Sequence, residues 1–201
     1  MSANTIQDKV ATTYHDNMRY LAENHPELCH TLASLDFAID AKHYEEKYTL
    51  EYTDEGYFDV RELATGALLY AEDSVSYAKS VLPKKGSLKE IQKVIFFGTG
   101  LGTHIEMIDG VIDTPAVYLI VEDDIELFRL SLFVVDYARL AKSVSLVFSV
   151  MESEESFEDT FTFFYKKEEV LNDYIQYFVF SSRYMQKSED VKLLIEDLKV
   201  S

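Results

Sequence analysis

Apolar residues recur along the first forty positions at helical spacing. Ile6, Val10, Tyr14, Met18 and Leu21 mark one side of a helix of about five turns, which the Asn24-His25-Pro26 step ends because proline disfavours a helical residue before it. Pro26 fits the first turn of a second helix, whose apolar side is Leu28, Leu32 and Leu35. A helical hairpin is predicted. From Lys47 the period falls to two: Tyr48, Leu50 and Tyr52 alternate with polar residues, Asp54-Glu-Gly56 turns the chain, and Tyr57-Phe-Asp-Val-Arg61 returns it. Ala64-Thr-Gly66 makes a further turn into Ala67-Leu-Leu-Tyr70, which predicts a small three-stranded antiparallel meander. Val81-Leu-Pro-Lys-Lys-Gly86 then breaks the pattern with proline, glycine and two adjacent lysines, and predicts a boundary between residues 1–85 and 86–201.

Beyond the boundary, short apolar runs alternate with amphipathic stretches, as a parallel sheet with crossover helices requires. Strands are predicted at 93–97, 116–121, 144–150 and 174–180. Leu101, Ile105, Ile108 and Ile112 mark the first crossover helix, and Ile125, Phe128, Leu132 and Val135 the second. Phe157, Phe161 and Phe164 suit either a third helix or a strand. Ser188 is placed as the N-cap of a last helix that runs to Leu198. The fold class is therefore α/β: a Rossmann-like parallel sheet flanked by helices, preceded by a helical hairpin and a small antiparallel β-meander.

The run Val94-Ile-Phe-Phe-Gly-Thr-Gly-Leu-Gly-Thr103 and the acidic end Glu122-Asp-Asp124 carry the chemistry. A strand, a three-glycine turn, a helix, a second strand and a terminal acid make up the first βαβ unit of a nucleotide-binding fold. Gly98, Gly100, Gly102 and Glu122 are the candidate cofactor-binding residues. A dinucleotide fingerprint places its third glycine at 103, where this chain has Thr103, so NAD is disfavoured. The G-x-G-x-G spacing is similar to the first motif of S-adenosylmethionine-dependent methyltransferases, with Glu122 where those enzymes hold the ribose. Phe96 stands where they carry an acid two residues before the first glycine. The cluster Glu122, Asp123, Asp124 and Glu126 tolerates a sulfonium and repels a phosphate. The plainer reading of the same residues is a tight turn made by glycine and a helix start capped by acids. His104, just past the turn, is read as a satisfied structural or surface residue before a ligand contact. The cofactor stays unknown.

Composition narrows the remaining classes. The chain has 201 residues, 47% of them hydrophobic, enough for one generous core or a domain with a smaller cap. A formal charge of −17 disfavours nucleic acid and anionic membrane surfaces as partners. The N-terminus has no apolar leader pattern, and no apolar run reaches the ~20 residues of a membrane span. The single cysteine, Cys29, suits a reducing compartment, and the expected location is the cytoplasm. His25, Cys29 and His30 form no metal-ligand spacing, so no metal is expected. No G-x-S-x-G elbow, Walker lysine loop or H-E-x-x-H helix occurs.

Four segments, taken in order, resemble the N-terminal region of the motility accessory factor family of flagellin glycosyltransferases. They are Asn17-Met-Arg-Tyr-Leu-Ala-Glu-Asn-His-Pro-Glu-Leu28, the meander ending Thr65-Gly-Ala-Leu-Leu-Tyr70, Ile95-Phe-Phe-Gly-Thr-Gly-Leu-Gly102 and Tyr118-Leu-Ile-Val-Glu-Asp-Asp124. The resemblance implies transfer of an activated nonulosonic acid, of pseudaminic or legionaminic type, to Ser or Thr of flagellin. In that family the transferase domain follows this region and opens with a Gly-x-Gly-Pro-Ser-like turn, which this sequence lacks. No catalytic residue is carried over, and the chain is expected to be a fragment that transfers no sugar by itself. The implied role is a non-catalytic accessory domain whose partners are flagellin or a downstream catalytic domain, or a second copy in a homo-oligomer. The alternative is a methyltransferase-like or nucleotide-binding protein that uses the glycine turn.

Overall fold

The computed structural model describes residues 3–70, 73–82, 93–112, 116–167 and 175–200. Helix α1 (Ala3–Asn24) and helix α2 (Pro26–Asp40) form the predicted hairpin. Pro26 sits at the start of α2, where its missing N–H is no loss. Strands β1 (Tyr48–Tyr52) and β2 (Phe58–Glu62) pair antiparallel, with Gly56 at φ 93° in the turn between them. The third meander segment pairs only through a single bridge, Arg61 to Leu68, so this sheet has two strands. The chain then leaves for helix α3 (Ser74–Val81), capped by Asp73, whose Oδ1 accepts from the Ser76 N–H at 2.7 Å. That helix was not predicted. The boundary placed between residues 85 and 86 lies outside the described residues.

The second sheet is parallel throughout, in the order β5-β4-β3-β6: β3 (Lys93–Phe97), β4 (Val117–Glu122), β5 (Ser145–Val150) and β6 (Ile175–Val179). Its two faces carry separate cores. Val94, Phe96, Tyr118, Ile120 and Phe148 point to one. There they meet helix α4 (Thr103–Asp109), helix α5 (Ile125–Val134) and the short helix α6 (Tyr137–Leu140). Ile95, Phe97, Leu119, Val121 and Val147 point to the other, against helix α7 (Glu154–Lys166) and helix α8 (Met185–Val200). Coverage on both faces is why these strands read as unbroken apolar runs. The aromatic segment that suited helix or strand is helix α7, capped by Ser153, with Phe157, Phe161 and Phe164 buried.

Ser188 is not an N-cap: it is buried inside α8, which starts at Met185 directly from a 3-10 turn at Ser182–Tyr184. The 3-10 turn replaces a cap, delivering Met185 in helical geometry. The helical hairpin does not stand apart from the sheet. Leu21 and Leu32, both fully buried, join the core of Phe96 and Phe148. Asn17 ties α1 to the sheet's helices: its amide donates to the Leu132 and Val135 carbonyls at 2.8 and 2.6 Å, and its oxygen accepts from the Ala138 N–H at 3.0 Å. Among the described residues no helix is long and apolar enough to cross a membrane.

Candidate functional site

The sheet order fixes where a ligand crevice belongs. From β3 the chain crosses to β4 on one side, and β6 returns to the other side of β3, so the order reverses between β3 and β6. In open α/β sheets ligands bind outside the carboxyl ends of the strands at such a switch point. Here those ends are the glycine turn after Phe97 and the segment from Phe180 to Tyr184 after β6. The Phe180 N–H donates to the Phe97 carbonyl at 2.7 Å and zips the two ends together.

All three glycines of the turn have left-handed backbones, with φ of 89°, 47° and 74° at Gly98, Gly100 and Gly102. Side chains of this chain stand close against the turn. A Cβ on Gly98 would lie 2.7 Å from Tyr184 and 2.8 Å from Phe180; one on Gly100 would lie 2.6 Å from the Tyr70 hydroxyl. A Cβ on Gly102 would meet Val135 at 2.4 Å. The turn's donors are used internally as well. The Leu101 N–H donates to Tyr70 Oη at 2.7 Å, and the Thr99 N–H and hydroxyl donate to Glu122 Oε2 at 2.8 and 2.9 Å.

Glu122 is the hub of this arrangement. It is fully buried, and besides Thr99 it accepts from the Asp124 N–H at 2.9 Å and from the Tyr184 hydroxyl through Oε1. Burial raises its pKa, while the donors Tyr184, Thr99 and Asp124 pull it back. Burial and the Glu122 charge together push the Tyr184 phenol up. A carboxylate with this many donors is held in one geometry.

The rest of the acidic cluster anchors neighbouring elements. Asp124 caps α5 through the Glu126 N–H at 3.1 Å and receives the Lys47 ammonium at 2.9 Å. Glu126, fully buried, accepts from the backbone N–H groups of Lys47 and Tyr48 at 2.8 and 2.9 Å, fastening β1 to the start of α5. Asp123 pairs with Lys187 at 2.6 Å. His104 is enclosed by the rings of Phe96, Tyr77 and Phe180, and burial lowers its pKa to about 4. Neither ring nitrogen has a hydrogen-bond partner among the described residues. Tyr70, Phe180 and Tyr184 also wall a cleft of about 440 Å³, which Tyr48, Tyr77 and Arg183 complete on its outer side.

The structure places Gly98, Gly100 and Gly102 in one turn after β3, and Glu122 at the end of β4 reaches that turn through Thr99. Sequence reasoning missed Tyr70 and Tyr184, the two phenols that meet them. No local signal marks those phenols, because a glycine demanded by an approaching side chain reads the same as one demanded by a ligand. His25 and Cys29 lie one turn apart at the start of α2, where His25 stacks edge-on against Phe148 and Cys29 donates to the Met18 carbonyl at 3.6 Å. Among the described residues no three His, Cys, Asp or Glu side chains stand close enough to hold a metal ion.

The family described as the glycosyltransferase Maf N-terminal domain matches residues 69–199, more than half of the chain. The chain is also similar in structure to the Maf glycosyltransferase of Magnetospirillum magneticum AMB-1, with a TM-score of 0.53 and 14% identity. The similarity covers 90% of this chain and 35% of that one, so the present chain spans about a third of that protein. At that identity the likeness establishes the fold. No curated protein matches the sequence.

Proposed function

Because the chain belongs to the family of Maf glycosyltransferase N-terminal domains, we propose that it is a non-catalytic accessory domain of a protein glycosyltransferase. The transfer served is that of an activated nonulosonic acid, of pseudaminic or legionaminic type, to Ser or Thr of flagellin. A catalytic domain outside these residues carries it out. The domain's part is to hold flagellin, to dock the catalytic domain or to assemble copies, and a cytoplasmic setting suits its single cysteine.

One observation carries the non-catalytic reading: the crevice where a doubly wound sheet takes its cofactor is plugged from within. Tyr70, Phe180 and Tyr184 press on Gly98 and Gly100, and Glu122 is saturated by Thr99, Asp124 and Tyr184. To hold a ribose, Glu122 would have to release buried donors, each contributing ~1.5 to 3 kcal/mol to a charged acceptor. In this reading Gly98, Gly100, Gly102 and Glu122 lock the first turn of the fold. The test is to incubate the chain with CMP-nonulosonate and flagellin and to measure flagellin's intact mass. No mass gain is expected from this chain; a gain of one or more sugar residues would overturn the proposal.

A further inference from the structure

We propose that the outer edge of β5 is a docking site for an extended peptide segment bearing lysine or arginine, which adds to the sheet as a further strand. The inference does not depend on the glycine turn or on the transfer reaction. Among the described residues β5 is an edge of the parallel sheet. The Ser145 N–H donates to the Ala116 carbonyl at 2.9 Å and the Met151 N–H to the Glu122 carbonyl at 2.8 Å. The alternation of a parallel ladder then turns the odd-numbered residues toward β4, and the amides and carbonyls of Leu146, Phe148 and Val150 outward. Edge strands are commonly blunted by charge, proline or shortness. Ser145–Val150 is six residues long and carries neither charge nor proline.

The flanks of this edge are shaped to receive a strand. Two cavities, of about 520 and 360 Å³, lie end to end along it and share His25 and Phe148 as walls. One runs between the first turn of α2 and the second half of β5, and the other reaches across the edge to Thr160 and Phe163 of α7. Phe163 and Met151, each 58% exposed, leave large apolar side chains beside the groove. Strand addition uses such an edge for main-chain hydrogen bonds and such pockets for alternate side chains.

Charge selects the occupant. Glu27, Glu152 and Asp159 stand in the cavity walls, with Lys167 nearby over the Phe163 ring. Glu152 Oε1 accepts from the Thr160 hydroxyl at 2.8 Å, whereas Oε2 is buried with no partner among the described residues. Turned into the groove, the Glu152 carboxylate would take its missing donor from an incoming ammonium or guanidinium. A second copy would instead set the same acids against each other on chains of −17 charge.

The test measures binding of the chain to a fluorescent seven-residue peptide alternating lysine and valine, against its glutamate and valine counterpart, by anisotropy. The lysine peptide is expected to bind at least about tenfold tighter, more weakly as salt rises, and to slow amide exchange at Leu146, Phe148 and Val150. Val150→Pro removes one outward N–H and spares the ladder to β4, and is expected to weaken binding about tenfold or more. Glu152→Lys leaves the strand intact and is expected to abolish the preference for lysine. Failure of the lysine peptide to bind, equal binding of both peptides, or slowed exchange elsewhere would overturn the proposal. So would a dimer of the chain in sedimentation that Val150→Pro dissolves, because the occupant would then be a second copy.

Discussion

Removing the Tyr184 hydroxyl tests the lock at its centre. Tyr184→Phe keeps the ring against Gly98 and takes away the one side-chain donor that Glu122 receives from beyond β6. It also removes the acceptor of the Asp123 N–H at 3.3 Å. Glu122 is fully buried, so water cannot replace the lost bond. A hydrogen bond to a charged group contributes ~1.5 to 3 kcal/mol, and the expected loss is about 2 kcal/mol. For a chain of this size that lowers Tm by roughly 4 to 8 °C. The pH dependence gives a second handle. Burial raises the Glu122 pKa above its unfolded value and the Tyr184 donor lowers it, so the variant's carboxyl lies higher still. A raised folded pKa costs stability as pH rises through it. The penalty of Tyr184→Phe should therefore be largest at pH 8 and shrink as the carboxyl protonates toward acid. Urea denaturation followed by circular dichroism at pH 8 and pH 5.5 measures both effects. A loss below ~0.5 kcal/mol at pH 8, or a penalty that grows on acidification, would refute the reasoning.

Three further perturbations follow from the same geometry. His104 stays neutral in the fold down to about pH 4, whereas the unfolded chain protonates it below ~6.5; stability should fall by roughly 3 kcal/mol between these values as pH drops. His104→Phe should remove that slope, which a pH series of denaturation midpoints would show. Gly98→Ala forces a Cβ to within 2.7 Å of Tyr184 at a φ of 89°, and should cost about 3 kcal/mol in equilibrium unfolding. Asn17→Ala leaves the Leu132 and Val135 carbonyls without their donor, and should cost about 3 kcal/mol and speed amide exchange along α1. A stability unchanged by Asn17→Ala would mean that the hairpin is not fastened to the sheet at that point.

The α/β core is legible in the sequence because its strands are buried on both faces. Lys93–Phe97 is predicted to the residue, and 116–121 and 144–150 fall within one residue of β4 and β5 at each end. The capping role read for the acids is realised by Asp124 on α5. What escaped depends on contacts across the chain. Helix α3 has weak helical composition, with two valines and three serines in eight residues, and is held by the Asp73 cap and by burial of Ser74 and Ala78. Ser188 carries a cap's chemistry, yet the 3-10 turn ahead of it already sets the helix. Tyr70 and Tyr184 reach the glycine turn from 31 residues before Leu101 and 62 after Glu122. Periodicity within a window does not span such distances. The open edge of β5 is equally hidden, since a strand's place in the sheet order is set by tertiary packing.

The most direct test of a self-filled cofactor crevice is to follow the backbone amides of Thr99 and Leu101 by 15N-resolved NMR during additions of adenosylmethionine, adenosylhomocysteine, CMP and NAD. A ligand at one hundred times its dissociation constant would also stabilise the chain by ~2.7 kcal/mol. With Thr99 bonded to Glu122 and Leu101 to Tyr70, neither amide is expected to move and no stabilisation is expected. Saturable movement of both amides with a rise in Tm would contradict the closed crevice and return Gly98, Gly100, Gly102 and Glu122 to a ligand site.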